Sequence, residues 1–256
     1  MIEQSSLLKS VPGIVHGFSL RSGGCSSEPY GSLNLGYNTN DTSESVAKNL
    51  MRLAEYAGIN EGFLEVDQVH GNRIVLLQDK ISRKEKADGI LSQKPAEAIA
   101  IRTADCAPIL IAHYNPESHR KANMIAAVHA GWRGAVSGIV IKAIEAMCQY
   151  GAQEKHLIFA LGPCIGPEKF EVGAEVIEAA KAQLDDHALP YEPKEAGKFN
   201  FDLREFIRLQ LLEAGISDAA IEFVGACTYS NPELYFSYRR DQGETGRHLS
   251  YIMLEA

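Results

Sequence analysis

Three segments of the chain place a histidine, a cysteine and a second histidine beside turn residues. They are DQVHGN with His70, RTADCAP with Cys106 and AAVHAGWRG with His129. Because 35 residues separate the first two and 22 the last two, they lack the close ligand pairs of a zinc finger. If the fold brings them together, two imidazoles and a thiolate leave the fourth tetrahedral position open. That arrangement is typical of a catalytic zinc ion, whose bound water has a pKa of about 7.

The same residues also have simpler interpretations. A histidine at the end of a strand commonly makes surface hydrogen bonds, and a cysteine in apolar surroundings commonly packs in a core. A shared site is favoured because all three lie at predicted strand ends beside glycine, proline or aspartate. Spacing alone leaves both interpretations open. The remaining cysteines are expected in an exposed loop (Cys25), within a helix (Cys148) and as structural residues among turns (Cys164 and Cys227).

Several arginines could bind an anionic substrate. Arg133 precedes a predicted helix N-terminus, where free amide groups attract anions, and its guanidinium could make a bidentate contact with phosphate or carboxylate. Arg21 and Asn34 lie in a long loop rich in glycine and serine, and loops of such length are often functional. The alternatives are that Arg133 packs over Trp132 at the surface and that Arg21 is simply solvated. Segments 237–240 and 245–248 form a basic patch, expected to be a solvated turn unless folding brings it to the cleft.

The composition is that of an ordinary globular protein. The chain has 256 residues, of which 45% are hydrophobic and 23% charged, and we expect one domain over residues 1–256. The net charge of −8 argues against a nucleic-acid or anionic-membrane partner. Charged side chains interrupt the longest apolar stretch, Met124–Met147, so we expect no membrane span. The lack of a recognisable export signal and the odd number of five cysteines predict a reducing, cytoplasmic setting.

Strands and helices must hold these residues in place, and they alternate without a strict βαβ rhythm. This pattern favours an α/β fold with a mixed sheet and helices outside over a doubly wound fold. Predicted helices cover residues 41–58, 134–150, 172–184 and 202–214. Predicted strands cover residues 11–20, 64–69, 74–77, 98–103, 108–113, 123–129, 157–161, 221–224, 234–237 and 249–254.

Seven segments, in this order, resemble the hallmark motifs of the YfiH family of laccase-domain proteins. They are HGFSLRSGG, SLNLGYN, QVHG, TADCAP, HAGWRG, GPCIG and FSYRR with TGRH. The resemblance runs from about His16 to His248, which is nearly the whole chain. It implies a single α/β domain similar in topology to the catalytic domain of the cytotoxic necrotizing factor toxins. It also implies a zinc ion, or in some members copper, bound by His70, Cys106 and His129.

Members of that family are described as polyphenol oxidases and as purine nucleoside phosphorylases. A multicopper oxidase needs on the order of ten imidazole ligands, and this chain has eight histidines in all. We therefore favour the second activity, with phosphorolysis of adenosine, inosine and methylthioadenosine and deamination of adenosine. A nucleoside and phosphate are then the expected partners, and the oligomeric state is left open. In this scheme Asp105 carries protons, Arg21 and Arg133 bind the anion, and Asn34 contacts the nucleoside.

Three alternatives remain. In a cysteine hydrolase, which the toxin-like topology suggests, Cys106 is the nucleophile and His129 the base, and the reaction includes editing of peptidoglycan precursors in bacterial relatives. In a non-catalytic protein, the metal supports the binding of a nucleoside or a partner protein. A copper-loaded form of the same three-ligand site would account for polyphenol oxidation, since copper competes well for such ligands.

Overall fold

The computed structural model describes residues 1–77, 85–115, 117, 121–184 and 189–256, so His119 and His187 lie outside the described residues. The six helices are α1 (Ser6–Lys9), α2 (Ser43–Ala57), α3 (Trp132–Val136), α4 (Ile139–Gln149), α5 (Ala174–Lys181) and α6 (Leu203–Glu213) within that part of the chain. The strands described there are β1 (Ile2–Glu3), β2 (Ile14–Ser19), β3 (Phe63–Leu64), β4 (Ile74–Leu76), β5 (Gly89–Ser92), β6 (Ala98–Thr103), β7 (Ala107–His113), β8 (Met124–Ala130), β9 (Leu157–Leu161), β10 (Glu171–Val172), β11 (Tyr191–Pro193), β12 (Phe199–Phe201), β13 (Ile221–Phe223) and β14 (His248–Leu254).

Two mixed sheets form the centre of the fold. One has six strands in the order β13-β9-β7-β8-β5-β4, with parallel pairs only at its two edges. The other has five strands in the order β1-β2-β14-β6-β3, and only its β3–β6 pair is parallel. A small antiparallel sheet, β10-β12-β11, lies apart from both. The predicted mixed α/β fold is therefore confirmed, with two stacked sheets where the sequence suggested one.

The two large sheets stack face to face with helices on the outer faces. Side chains between the sheets, such as Phe18, Leu110 and Ile252, form one buried cluster. The outer face of the six-stranded sheet packs on α3 to α6, and that of the five-stranded sheet packs near α2. Strands β7 and β8 are covered on both faces, so every residue in them is buried. This is why their sequences are almost entirely apolar.

Alternation along β7 shows how one strand serves both layers. Ile109 and Ile111 belong to the cluster on the helix side, whereas Leu110 and Ala112 belong to the cluster between the sheets. Successive side chains of a strand point to opposite faces, so this pattern follows directly from the pleat. Each fully buried large apolar side chain stabilises the folded protein by roughly 1.5–3 kcal/mol. The buried strands β7 and β8 therefore hold the residues at their ends in fixed positions.

The helix starts predicted at residues 41 and 202 are confirmed to within one residue. The backbone N–H of Ser45 donates to the Thr42 side chain (3.1 Å) at the start of α2, and Gly58 ends that helix in the left-handed conformation. The backbone N–H of Glu205 donates to the Asp202 carboxylate (3.0 Å) at the start of α6. Capping depends on local hydrogen bonds, so the sequence carries the signal for it.

Three other predictions were wrong. The strand predicted over 64–69 is only β3, which ends at Leu64, so His70 lies in a loop and not at a strand end. The helix predicted over 134–150 is split into α3 and α4, because Gly138 adopts φ 73° between them. The strand predicted over 234–237 is a turn, since the N–H groups of Leu234 and Tyr235 donate to the Asn231 carbonyl instead of to a neighbouring strand. Strand β5 was not predicted. No helix within the described residues is both long and apolar enough to span a membrane.

Candidate metal centre

The pairing of β7 with β8 places Cys106 beside His129. In this antiparallel pair Ala107 lies opposite Ala130 and Pro108 opposite His129. Cys106 directly precedes β7 and therefore faces the end of β8, where Gly131 begins the turn into α3. The register of β7 against β8 therefore brings these two predicted ligands together, although they are far apart in the sequence.

Asp88 connects the third ligand to this pair. It directly precedes β5, which is antiparallel to β8, and its carbonyl accepts the backbone N–H of His129 (2.7 Å). Its fully buried carboxylate accepts hydrogen bonds from the N–H groups of His70 (2.9 Å), Gly71 (2.6 Å) and Val69 (3.3 Å). These bonds fix the loop that carries His70, whose φ of 59° lies in the left-handed region.

Asp88 also orients the ring of His129. The Asp88 carboxylate lies 2.8 Å from Nδ1 of His129, and a carboxylate can only accept, so Nδ1 is the donor. Nε2 of His129 is then directed at the site. Metal-binding histidines commonly donate their second ring nitrogen to a carboxylate in this way.

Gly131 leaves room for the three side chains to meet. A Cβ atom at this position would lie 3.1 Å from Cys106 Sγ, 3.1 Å from His70 Cδ2 and 3.8 Å from His129 Nε2. The backbone of Gly131 therefore forms the floor of a small space bounded by one sulfur and two imidazole rings. Any larger residue would intrude into that space.

The donor atoms fit a single metal ion. One ligand atom from each of His70, Cys106 and His129 lies within 4.8 Å of the other two. Zinc bonds of about 2.0–2.3 Å would bring ligand atoms to about 3.3–3.8 Å from one another, and the exposed ring of His70 can turn to close the difference. It is the only cluster of this kind among the described residues. Two imidazoles with a thiolate suit zinc and also accept copper.

Cys106 and His129 shift each other's pKa. Burial raises the pKa of the Cys106 thiol, but the charge of His129 and hydrogen bonds with His129 and His70 outweigh it, so the pKa lies below its usual value. Burial lowers the pKa of His129, but the Cys106 charge and the Asp88 hydrogen bond outweigh it and raise that pKa. Both shifts favour a thiolate at Cys106, which is the form of cysteine that binds metals and attacks substrates.

The three side chains open into a cavity of about 640 Å³ that is large enough for a small organic substrate. Arginine and aromatic side chains line the same cavity and are stacked in pairs. The guanidinium carbons lie 5.4–5.6 Å from the ring centroids in the pairs Arg102–Tyr37, Arg239–Phe170 and Arg247–Tyr238. Folding therefore brings the basic patch of segments 237–240 and 245–248 to the cleft.

Asp105 and Asn34 hold the backbone of two of these arginines. One Asp105 carboxylate oxygen accepts the backbone N–H of Arg239 (2.7 Å) and the other accepts the Thr228 hydroxyl (2.6 Å). Asn34, fully buried, accepts the backbone N–H of Arg247 (2.9 Å) through its amide oxygen. Asp105 borders the cavity, whereas Asn34 does not. Asn34 was predicted to contact the nucleoside, but its buried amide is engaged within the protein instead.

The structure does not bring Arg21 and Arg133 to the cavity. The Arg21 guanidinium donates to the carbonyls of Gly31 (2.7 Å) and Pro232 (3.0 Å) and borders a separate depression. The exposed Arg133 lies over the ring of Trp132, 4.4 Å from its centroid. Arg21 was predicted to bind the anion because it lies in a long loop and Arg133 because it precedes a predicted helix, and such local signals carry no information on which cleft a side chain faces.

The fold and site can now be compared with known proteins. A family model described as multi-copper polyphenol oxidoreductase laccase matches residues 15–255. The chain belongs to this family. Membership of this laccase family agrees with the YfiH resemblance drawn from the sequence motifs, although the described residues offer one candidate metal cluster, not several.

Several relatives within this laccase family carry the name purine nucleoside phosphorylase. "Purine nucleoside phosphorylase YfiH" of Escherichia coli is 35% identical over 243 residues, which is 94% of each chain. A purine nucleoside phosphorylase of Pseudomonas aeruginosa is 36% identical over 236 residues, covering 92% of this chain and 91% of the relative. The crystal structure of YlmD from Geobacillus stearothermophilus matches with a TM-score of 0.90 and 30% identity, over 98% of this chain and 94% of that one.

The sequence analysis did not assign four residues of the candidate site. Asp88 precedes a strand, β5, that was not predicted, and only the Asp-Gly pair at positions 88–89 indicated a turn there. Arg102 lies in a predicted strand, and Arg239 and Arg247 lie in a patch expected to be solvated unless folding brought it to the cleft. The family motifs FSYRR and TGRH contain the last two, but the cavity that they share with Arg102 exists only in the folded chain.

Proposed function

We propose that this protein is a zinc-dependent purine nucleoside phosphorylase that acts on adenosine, inosine and methylthioadenosine. The observation that carries the proposal is that the His70, Cys106 and His129 side chains share one cavity with several arginine and aromatic side chains. Relatives of similar length and about 35% identity bear the name purine nucleoside phosphorylase, which supports the same activity.

Phosphorolysis requires an oxygen of phosphate to attack the anomeric carbon of ribose while the carbon–nitrogen bond to the purine breaks. The bonding electrons move to the purine nitrogen, so that ribose 1-phosphate and a free base are formed. Arginine side chains can neutralise and orient the phosphate, and the exposed ring faces of Tyr37 and Tyr238 can stack on a purine. A zinc ion held by the three ligands would supply Lewis-acid chemistry and an open coordination position.

Adenosine deamination is proposed as a second activity of the same cavity. In that reaction water replaces the purine amine and ammonia leaves. Asp105 borders the cavity, but its carboxylate oxygens already accept bonds from Thr228 and Arg239. Proton transfer through Asp105 would therefore have to compete with these two bonds.

Product analysis tests the proposal. Purified protein is assayed for bound metal and incubated with adenosine, with and without phosphate, and products are separated by chromatography. Phosphate-dependent adenine supports phosphorolysis, inosine supports deamination, and the absence of both contradicts the proposal. Cys106→Ala should abolish metal binding and turnover, whereas Cys25→Ala, at an exposed cysteine outside the cavity, should preserve both. Full activity in metal-free C106A protein would refute the assignment.

A cysteine hydrolase is the second candidate, favoured by one observation. Asp88 bonds His129, and His129 lies against the Cys106 sulfur, so the three side chains follow the order orienter, base and nucleophile. A metal-bound thiolate is already occupied, so metal content and thiol reactivity separate the two mechanisms. One equivalent of zinc with slow alkylation of Cys106 supports the phosphorylase. Rapid alkylation of metal-free protein that retains hydrolytic activity supports the hydrolase.

A further inference from the structure

We propose that Arg239 and Arg247 form the binding site for inorganic phosphate, with Asp105 and Asn34 as the residues that position them. This inference rests on the proposed phosphorolysis and assigns its anionic cosubstrate to two named side chains. Both arginines border the cavity that also contains Cys106.

The positions of the two arginines are fixed at both ends. At the backbone, Asp105 accepts the N–H of Arg239 and Asn34 accepts that of Arg247. At the guanidinium, Arg239 lies over Phe170 and donates to the Glu171 carbonyl (3.1 Å). A side chain held in this way loses less conformational entropy when it binds a ligand, which is the usual benefit of preorganisation.

Arg247 is held in the same manner. Its guanidinium lies over Tyr238, and one of its terminal nitrogens donates to the carbonyls of Thr245 (2.7 Å) and Gly246 (3.0 Å). These carbonyls accept hydrogen bonds from Nη1, so the opposite edge of the planar guanidinium is available to a ligand. A planar fork of this kind matches two oxygens of one phosphate.

Charge balance distinguishes these two arginines from their neighbours. Arg102 forms an ion pair with Glu65 (2.8 Å), and Arg240 forms one with Asp241 (2.7 Å). Within the described part of the chain, neither Arg239 nor Arg247 makes an ion pair with a carboxylate. Both guanidinium charges are therefore available to an anion in the cleft, although the net charge of the chain is −8 and Asp67 and Asp105 border the same cavity.

Partial burial of Arg247 strengthens its attraction for a bound anion. The side chain is half-buried, and burial lowers its pKa, although a guanidinium remains charged at any physiological pH. A partly desolvated cation gains more from a bound anion than an exposed one does, because the surroundings screen the attraction less. Phosphate, with nearly two negative charges at neutral pH and several acceptor oxygens, fits a pair of such groups.

Direct binding of inorganic phosphate tests the proposal without relying on turnover. Equilibrium dialysis with radiolabelled phosphate compares the wild type with Arg239→Met and Arg247→Met. Each substitution should weaken phosphate binding about 10- to 100-fold, the usual effect of losing a charge-assisted hydrogen bond. Arg247→Lys keeps the charge but loses the fork, so its affinity should lie between those of the wild type and Arg247→Met. Thermal unfolding confirms that each variant is folded.

The matched control is Arg204→Met. Arg204 also lies over an aromatic ring, 5.2 Å from the Phe223 centroid, and donates to a backbone carbonyl, but it does not border the cavity. This variant should bind phosphate as the wild type does. In steady-state assays, the Arg239 and Arg247 variants should raise the KM for phosphate and leave the KM for inosine unchanged.

The outcomes separate this inference from the proposed function. Phosphate binding that is lost in the two variants, in a protein that releases no free base, would support the anion site and refute phosphorolysis. Free base formed with an unchanged KM for phosphate in both variants would support phosphorolysis and overturn the anion site. The anion site is also overturned if the wild type binds no phosphate, or if Arg133→Met causes the loss instead.

Discussion

Replacing Asp88 by Asn should weaken metal binding, although Asp88 is not itself one of the three candidate metal-binding residues. The wild-type carboxylate accepts bonds from His129 Nδ1 and from the N–H groups of His70 and Gly71. An amide of the same shape has only one acceptor oxygen, so one side of Asn would present a donor to another donor. The His129 ring and the His70 loop would then lose their fixed orientation.

The magnitude follows from those bonds. Loss of a partner that orients a metal ligand typically reduces metal affinity 10- to 100-fold, so we expect the zinc dissociation constant of D88N to rise by that factor. The metal-free protein should lose about 2–4 kcal/mol of unfolding free energy, because buried donors are left without an acceptor. Competition with a chromophoric chelator measures the first quantity and urea denaturation the second.

Asp88 also acts on the proton equilibrium of His129, and nitrogen-15 NMR of the histidine side chains in metal-free protein reports it. Burial lowers the pKa of His129 while the Cys106 charge and the Asp88 hydrogen bond raise it, so D88N should lower that pKa. Asp218→Asn removes an exposed carboxylate that pairs with Arg208 and should change neither the zinc affinity nor the pKa of His129. A folded D88N protein with unchanged zinc affinity and an unchanged His129 pKa would refute the positioning role.

Two further predictions concern the floor of the site and the pH dependence of stability. Gly131→Ala places a methyl group about 3.1 Å from the Cys106 sulfur, so zinc affinity measured by chelator competition should fall about tenfold or more. Burial lowers the pKa of both His16 and His248 to about 4, so each is neutral in the native protein while the unfolded chain protonates near 6.5. Stability is therefore fully present above pH 6.5 and falls as the pH drops toward 4, by about 3 kcal/mol for each histidine, as urea denaturation across that range should show.

Each of these has a result that contradicts it. Unchanged zinc affinity in folded G131A protein would mean that the ligands do not meet above the Gly131 backbone. His16→Gln keeps an acceptor for the Ser5 N–H but removes the titrating ring, so its stability curve should be flatter than that of the wild type. Parallel curves for the two proteins would exclude His16 as a source of the pH dependence.

Local signals in the sequence predicted the parts of the fold that depend on local contacts. The start of α6 at Asp202 was identified, and that of α2 was placed at Asp41, one residue before the Thr42 cap, because a capping side chain bonds an N–H only a few residues away. The break at Gly138 and the turn before Tyr235 were missed because the apolar residues around them fit a continuous helix and a strand, whereas a glycine with φ 73° and two N–H groups bonded to the Asn231 carbonyl set the observed conformations. The strands β7 and β8 were recognised as short apolar runs, but the sequence did not reveal that they separate two stacked sheets.

The sequence by itself determines the types of the candidate metal-binding side chains, their placement beside turns and the motif order that identifies the family. Only the tertiary structure decided which charges face them. Strand register puts Asp88 next to His129, and turns distant along the chain bring Arg239 and Arg247 to the same cavity while Arg21 and Arg133 face elsewhere. The physical reason is that residue type alone sets the chemical groups of a side chain. Its neighbours in space depend on long-range backbone pairing and burial, which no short segment encodes.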